Sequence, residues 1–341
     1  MSDLRRAQRT PVLGLVAIGR NEGERLRVCL VSAADSGCRI VYVDSGSQDG
    51  SVALAAGLGA TVVTLDDGQP FTAARARNAG FAALCACEPG LTYVQFIDGD
   101  CTLAPSWLAA AVEILDRDAG IAAVCGRRRE RHRERTLFNR LCDMEWDGPT
   151  GIVSECGGDV LMRACAFREA GGYRGSLIAG EEPELCVRLR QSGWTIRRLP
   201  AEMTAHDAAM MRFRQWWRRA VRAGYAFAEV SRLHRGEPCA IWAEAVPRAV
   251  FWGGLLPLAA LLPAALYPAT LGFLLIYPLQ IGRIAFRRGA RSRDNWLYAG
   301  FALLAKLPEL EGILRFHADR RRGRGGQLIE YKQACPSRPE P

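Results

Sequence analysis

The chain has 341 residues, 49% of them hydrophobic and 24% charged. A chain of that size and make-up buries a sizeable core, which excludes a disordered protein and a disulfide-stapled miniature. A mean hydropathy of −0.03 at this charge content points to a polar part and an apolar part averaged together.

The net charge of +9 is unevenly placed. Residues 1–210 hold 24 Arg against 27 Asp and Glu, a net −3, whereas residues 211–341 hold 21 Lys and Arg against 9 acids, a net +12. Such a basic half fits nucleic acid or anionic lipid, and the uncharged stretch described below decides for lipid. The twelve cysteines include no C-x-x-C pair, so zinc and redox frameworks are not expected and the thiols are expected to be reduced. The first residues, Met-Ser-Asp-Leu-Arg-Arg, are polar, and no secretory leader is expected there.

Val12–Ile18 is an apolar run that reads as a buried strand ending at Gly19-Arg20-Asn21. Glu22 to Ser36 has helical spacing at Leu26, Cys29 and Leu30. Arg39–Val43 reads as a second strand, closed by the turn residues from Asp44 to Gly50. Ser51–Leu58 is a predicted helix and Thr61–Leu65 a third strand. Phe71–Cys87 is an Ala-rich helix, and Thr92–Ile97 a fourth strand ending at Asp98-Gly99-Asp100. Pro105 opens another helix, and Ile121–Cys125 is a fifth strand. This alternation predicts an α/β class with a doubly wound, mainly parallel, Rossmann-like sheet. Such sheets bind ligands beyond the carboxyl ends of their strands, where Arg20, Asp44 and Asp98 all fall. The Arg-rich run Arg127–Arg135 has mixed sign and reads as a solvated loop. Glycines punctuate residues 151–200, and Glu184–Gln191 is helical.

From Ala249 to Gly282 no residue is charged. One straight helix of that length would measure about 51 Å, too long for the hydrocarbon layer, and Pro257, Pro263, Pro268 and Pro278 break it. The reading is a membrane hairpin, either two short spans or re-entrant. Arg218, Arg219, Arg222 and Arg248 precede it, and Arg283, Arg287, Arg288, Arg291 and Arg293 follow it, so both flanks are expected on the cytoplasmic side of the membrane. Trp296–Lys306 reads as an interfacial helix and Arg320–Arg324 as a basic tail on lipid headgroups. The expected domains are 1–235 (catalytic), 236–290 (hairpin) and 291–341 (interfacial helix and tail).

Three acidic clusters carry the chemistry. Asp98 and Asp100, one residue apart after an apolar strand, can share a hard divalent cation with substrate phosphates. Asp44 ends a strand where a carboxylate can meet the edge of a base, and Asp49 reads as a turn or N-cap residue. Arg75 and Arg77 lie near the sheet rim, where a guanidinium can meet a diphosphate. Glu181, Glu182 and Glu184 crowd three carboxylates into four positions, which tends to raise one pKa as a general base requires, although for this cluster taken alone an acidic first helical turn set against the helix dipole is the stronger reading.

The set resembles the family 2 glycosyltransferases of the GT-A fold over about residues 10–235. The matching motifs are Ile18-Gly-Arg-Asn-Glu22, Val43-Asp-Ser-Gly-Ser-Gln-Asp-Gly50, Ala76-Arg-Asn-Ala-Gly80, Asp98-Gly-Asp100, Gly157-Gly158 with Arg163, and Glu181-Glu182-Pro-Glu-Leu185. The resemblance implies a nucleotide-diphosphate sugar donor contacted by Arg20, Asn21, Glu22, Asp44, Arg75, Arg77 and Asp98. It implies Mg²⁺ or Mn²⁺ on Asp98, Asp100 and His206, and an acceptor side around Gly157, Gly158 and Arg218. Glu182 stands where the family has the aspartate of a Glu-Asp pair and would deprotonate the acceptor in an inverting transfer, with Glu181 or Glu184 as the alternative. Gln215-Trp-Trp-Arg218 resembles the Gln-x-x-Arg-Trp element of processive members with the tryptophan displaced, and Trp216 and Trp217 read equally well as membrane-interface residues.

The expected activity is therefore a metal-dependent glycosyltransferase at the cytoplasmic membrane face, acting on a lipid-linked or surface-polysaccharide acceptor. The alternative is an inactive membrane-anchored nucleotide-sugar-binding adaptor. A dinucleotide oxidoreductase lacks its G-x-G-x-x-G after the first strand, and no nucleic-acid partner is expected.

Overall fold

The computed structural model describes residues 11–323. Residues 324–341, with the far end of the expected basic tail, lie outside them. Among the described residues nine strands form one sheet: β1 Val12–Gly19, β2 Arg39–Asp44, β3 Thr61–Thr64, β4 Leu91–Asp98, β5 Cys101–Leu103, β6 Ile121–Glu130, β7 Gly151–Ile152, β8 Val160–Arg163 and β9 Thr195–His206. Their order is β3-β2-β1-β4-β8-β6-β9-β5, with β7 paired to β9. The first four strands are mutually parallel, β8 runs antiparallel between β4 and β6, and β6 pairs parallel with β9.

Helices α1 Glu24–Ala34, α2 Ser51–Gly57, α3 Ala73–Cys87, α4 Trp107–Arg117, α5 Leu137–Trp146, α6 Ala164–Glu169 and α7 Glu181–Gln191 cover and connect this sheet. Leu15, Val16 and Ala17 of β1 and Val94 and Phe96 of β4 are fully buried on both faces, as a strand between two helical layers requires. The apolar runs of the sequence therefore became central strands.

The Arg-rich run corrects an expectation. Its first four residues, Arg127–Glu130, continue β6 rather than forming a solvated loop. β6 is extended because β9 pairs with it along nearly its whole length, ending at Glu130 opposite His206. On the other side of β9, Cys101 of β5 stands opposite the same His206. This three-strand corner brings together residues 100, 130 and 206, which are far apart in the chain. The parallel register of β1 does the rest, placing Ile18 beside Asp98 and Gly19 beside Asp44.

The C-terminal part is helical: α8 Phe213–Leu233, α9 Ala245–Val250, α10 Leu256–Leu261, α11 Ile276–Arg288, α12 Arg293–Leu304 and α13 Lys306–Arg321. A π-type turn joins α9 to α10, and a 3-10 segment, Pro268–Leu275, precedes α11. Among the described residues one helical run, Pro268–Arg288, is long and apolar enough to cross a membrane. The first arm, Ala245–Leu261, is shorter. Trp216 is 3% exposed and packs with Cys142, Met210 and Phe301, so it is a core residue and not an interface anchor.

Helices α8 and α13 cross with their backbones in contact. A Cβ on Gly224 would stand 2.0 Å from Glu309 O, and one on Gly312 would stand 2.0 Å from Val221 O. Backbone cannot yield as a side chain can, so Gly224→Val should lower stability by about 3 kcal/mol, at the upper end of overpacking costs. Denaturant unfolding followed by tryptophan fluorescence measures this; a variant within about 0.5 kcal/mol of the parent, the margin for neutral surface changes, would show that the crossing yields freely.

Candidate active site

Asp98 and Asp100 flank the Gly99 turn between β4 and β5, and His206 ends β9. One ligand atom from each of Asp98, Asp100, Cys101 and His206 falls within 4.8 Å of all the others. Asp100 and His206 are both buried, with Nε2 3.3 Å from Asp100 Oδ2. Two carboxylates and an imidazole suit a divalent ion of the Mg²⁺–Mn²⁺ type. Burial raises the Cys101 thiol well above its ordinary range, which keeps it a thiol beside those ligands. The residues therefore fit the expected metal.

The two Asp98 oxygens are held separately. Arg77 Nη2 donates to Oδ1 at 2.8 Å and Arg128 Nη2 to Oδ2 at 3.1 Å. Arg77 is itself 3% exposed, and its Nη1 donates to Glu181 Oε1 at 2.7 Å. One buried guanidinium thus ties the strand-end carboxylate to the acidic turn of α7. The sequence predicts a diphosphate contact for Arg77; the structure instead commits two of its nitrogens to carboxylates. Arg75 likewise donates to the carbonyls of Asp66, Gln69 and Pro70, so it shapes the 66–70 loop rather than presenting a fork to a phosphate.

Arg128 is not singled out by the sequence. It stacks over Trp146, 4.9 Å from the ring centroid, and pairs with Asp98 and Asp159. Asp159 in turn accepts the Asp98 amide at 3.0 Å and the Thr204 hydroxyl at 2.8 Å. Gly158 precedes it, and a Cβ there would meet Arg77 Nη2 at 2.5 Å. The expected acceptor-side glycine is thus placed against the Arg77–Asp98 pair. Gly157 has φ 97, which favours glycine. Arg218 is half-buried on α8.

Of the residues expected to meet the nucleotide, Asn21 and Asp44 organise turns. Asn21 Oδ1 accepts the Gln48 amide and its own amide donates to Ser47 Oγ. Asp44 accepts the Tyr42 hydroxyl and the amides of Gly46 and Ser47, filling three of a carboxylate's roughly four acceptor positions. Arg20 is exposed and lies over the Phe71 ring, while Glu22 pairs with Arg25 at 2.7 Å.

The third cluster divides by environment. Glu184 has no exposure and is gripped by Arg188, Arg174 and His234. Burial works against its charge, yet the arginines outweigh it and lower its pKa. That makes Glu184 a structural anchor and removes it as an alternative base. Glu182 Oε1 accepts the Cys156 amide at 2.7 Å and lies 3.0 and 2.9 Å from the Cys156 and Cys186 thiols. Burial pushes Cys186 up to about 12 and raises Cys156 well above its ordinary value, so both remain S–H donors. Glu155 beside them is pushed up to about 7, by burial first and then by the Glu182 charge. Arg163 belongs to the opposite rim, where it donates to Ile121 O and Asp118 O at the strand starts.

Residues 16–157 match the family described as Glycosyl transferase family 2. The chain is also 26% identical over 232 residues to the pre-mycofactocin glycosyltransferase of Mycobacterium tuberculosis (strain CDC 1551 / Oshkosh), a match covering 63% of this chain and 46% of that protein. The chain thus spans about half the length of this curated relative. In fold it is similar to the mannosyltransferase PcManGT from Pyrobaculum calidifontis, solved in complex with GDP-Man and Mn²⁺. That similarity has a TM-score of 0.55 at 18% identity and covers 92% of this chain and 89% of the other. Residues 16–157 therefore resemble a family 2 glycosyltransferase domain, and the sheet with its helices shares the fold of that mannosyltransferase.

Proposed function

We propose that this protein is an inverting, divalent-metal-dependent glycosyltransferase that moves a sugar from a nucleotide-diphosphate donor to a lipid-linked or surface-polysaccharide acceptor at the cytoplasmic face of a membrane. The observation that carries the reading is the Asp98–Asp100–His206 group linked through Arg77 to the Glu181–Glu182 turn. The fold relative holds GDP-Man and Mn²⁺, which supports the same ligand class here. A bound Mg²⁺ or Mn²⁺ would neutralise charge on the departing nucleoside diphosphate.

The chain's own residues then have these roles. Asp100 and His206 would hold the ion, with Asp98 oriented beside them between two guanidiniums. Glu182 is the base: its Oε1 is fixed by the Cys156 amide and the two thiols, which leaves Oε2 to take the proton of the acceptor hydroxyl. Proton removal strengthens the hydroxyl oxygen as it attacks the anomeric carbon from the face opposite the leaving group. The apolar hairpin, Ala249–Gly282, keeps the enzyme where a membrane-held acceptor resides.

The test is a donor screen on the full chain in detergent, with UDP-, GDP- and dTDP-sugars with and without Mn²⁺. One donor class should stabilise the protein only with metal, by about 2.7 kcal/mol at a hundredfold excess over Kd, and should be turned over with a lipid extract as acceptor. Metal-dependent binding with no turnover on any extract would support the adaptor reading instead.

A further inference from the structure

The hairpin between α9 and α11 exposes a continuous apolar surface: Leu255, Leu258, Leu261, Leu262, Leu266 and Leu279 are each 51–80% exposed. A soluble protein rarely leaves so large a patch uncovered. We infer that this hairpin enters one leaflet of the bilayer and turns back within it, so that its tip never reaches the far side. The inference rests on the membrane reading above and chooses between the two forms the hairpin could take.

Three observations carry it. The first is length. The uncharged part of the first arm, from Ala249 to Leu262, rises only about 21 Å at 1.5 Å per residue, short of a hydrocarbon core of about 30 Å. The run Pro268–Arg288 has the length to cross, but its last turns carry Arg283, Arg287 and Arg288, so its uncharged part stops at Gly282.

The second is the chemistry of the tip. A hairpin that crosses twice places its turn in water, where polar residues are needed. This turn reads Leu262-Pro-Ala-Ala-Leu-Tyr-Pro268, with the Tyr267 phenol as its one polar side-chain group. Four of its amides are satisfied internally, as hydrocarbon favours. The amides of Leu262, Ala264, Leu266, Tyr267 and Thr270 donate to Leu258, Leu261, Pro263, Pro263 and Tyr267 carbonyls. Pro263 and Pro268 have no N–H to satisfy. The Thr270 hydroxyl turns back to Ala260 O at 2.9 Å.

The third is charge and attachment. Arg248 precedes the hairpin and Arg283, Arg287, Arg288, Arg291 and Arg293 follow it, so these cations all lie at its open end, where anionic headgroups of one leaflet would meet them. That open end is fastened to the catalytic domain. A Cβ on Gly253 would stand 2.2 Å from Lys306 O of α13, and α13 crosses α8 in backbone contact. Ile178, three residues before the acidic helix, packs into the same cluster as Tyr225, Ala249 and Ile313. The depth of the hairpin in the leaflet therefore sets the height of α7 above the headgroups.

The experiment reconstitutes full-length Ala265→Cys into phosphatidylcholine–phosphatidylglycerol vesicles. A membrane-impermeant maleimide is added before or after detergent, and labelling is read by peptide mass spectrometry. Because reconstitution gives mixed orientations, the exposed native Cys87 reports the outward-facing fraction. The introduced thiol should stay unlabelled in intact vesicles and label fully after detergent. Labelling in intact vesicles, whether in the fraction complementary to Cys87 (a tip across the bilayer) or in the same fraction (a tip in water on the near side), overturns the inference alone. Failure of the protein to float with the vesicles overturns the membrane reading on which it rests.

Discussion

Asp100→Asn should lower transfer by about a thousandfold while leaving the protein folded. The amide keeps the shape of the side chain, so the buried corner between β5, β6 and β9 stays filled. What is lost is one of the two negative charges of the Asp-Gly-Asp turn and the ligand atom that stands 3.3 Å from His206. Charge stabilisation by a divalent ion at a leaving diphosphate is worth several kcal/mol, and about 4 kcal/mol corresponds to that factor. Mn²⁺ affinity measured by calorimetry should fall in parallel, and the Mn²⁺-dependent part of donor stabilisation should vanish. His206→Gln should weaken metal binding in the same direction but less, because the carboxylate is the charged ligand. An Asp100→Asn enzyme that keeps metal-dependent turnover within a few-fold of the parent would remove this cluster from the mechanism.

That corner shows where sequence reading reaches and where it stops. The apolar runs of β1, β2 and β4 and the acidic residues after them were legible, because a buried parallel strand needs uninterrupted hydrophobic residues and its carboxyl end needs polar ones. His206 was legible only through its family position; nothing local marks it as a neighbour of Asp100. Its place follows from β9 pairing with both β5 and β6, a non-local register with no sequence signal. Arg128 was hidden for a related reason. Nine residues of mixed charge look solvated, and only the pairing of β6 with β9 drives this arginine inward, between Asp98, Asp159 and the Trp146 ring. The thiols beside Glu182 were invisible because Cys156 and Cys186 are 30 positions apart and neither sits in a metal-binding spacing.

The second large effect is expected at Arg77. Its guanidinium is 3% exposed and serves Asp98 and Glu181 at once, at 2.8 and 2.7 Å. Removing one partner of a buried pair leaves the other charge uncompensated, at a typical cost of about 3–5 kcal/mol. Asp98 retains some solvent contact, which places Arg77→Ala at the lower end, about 3 kcal/mol. Arg77→Lys should recover only part of this, since one ammonium cannot present two parallel donors to two carboxylates on different elements. The decisive variant is Arg77→Ala combined with Glu181→Gln. If the loss comes from uncompensated charge, chiefly on Glu181 because Asp98 keeps Arg128, neutralising Glu181 should return about 1 kcal/mol or more, a coupling of the size contacting residues show. If the loss is only the cavity left by the side chain, the second substitution should add its own cost and return nothing. Denaturant unfolding of the parent, the two single variants and the double variant separates these outcomes. Turnover distinguishes stability from alignment: Arg77→Lys, though folded, should still transfer sugar slowly, because Asp98 and α7 are no longer held by one rigid fork. Full activity in Arg77→Lys would mean that Arg77 supports the fold without setting the geometry of the site.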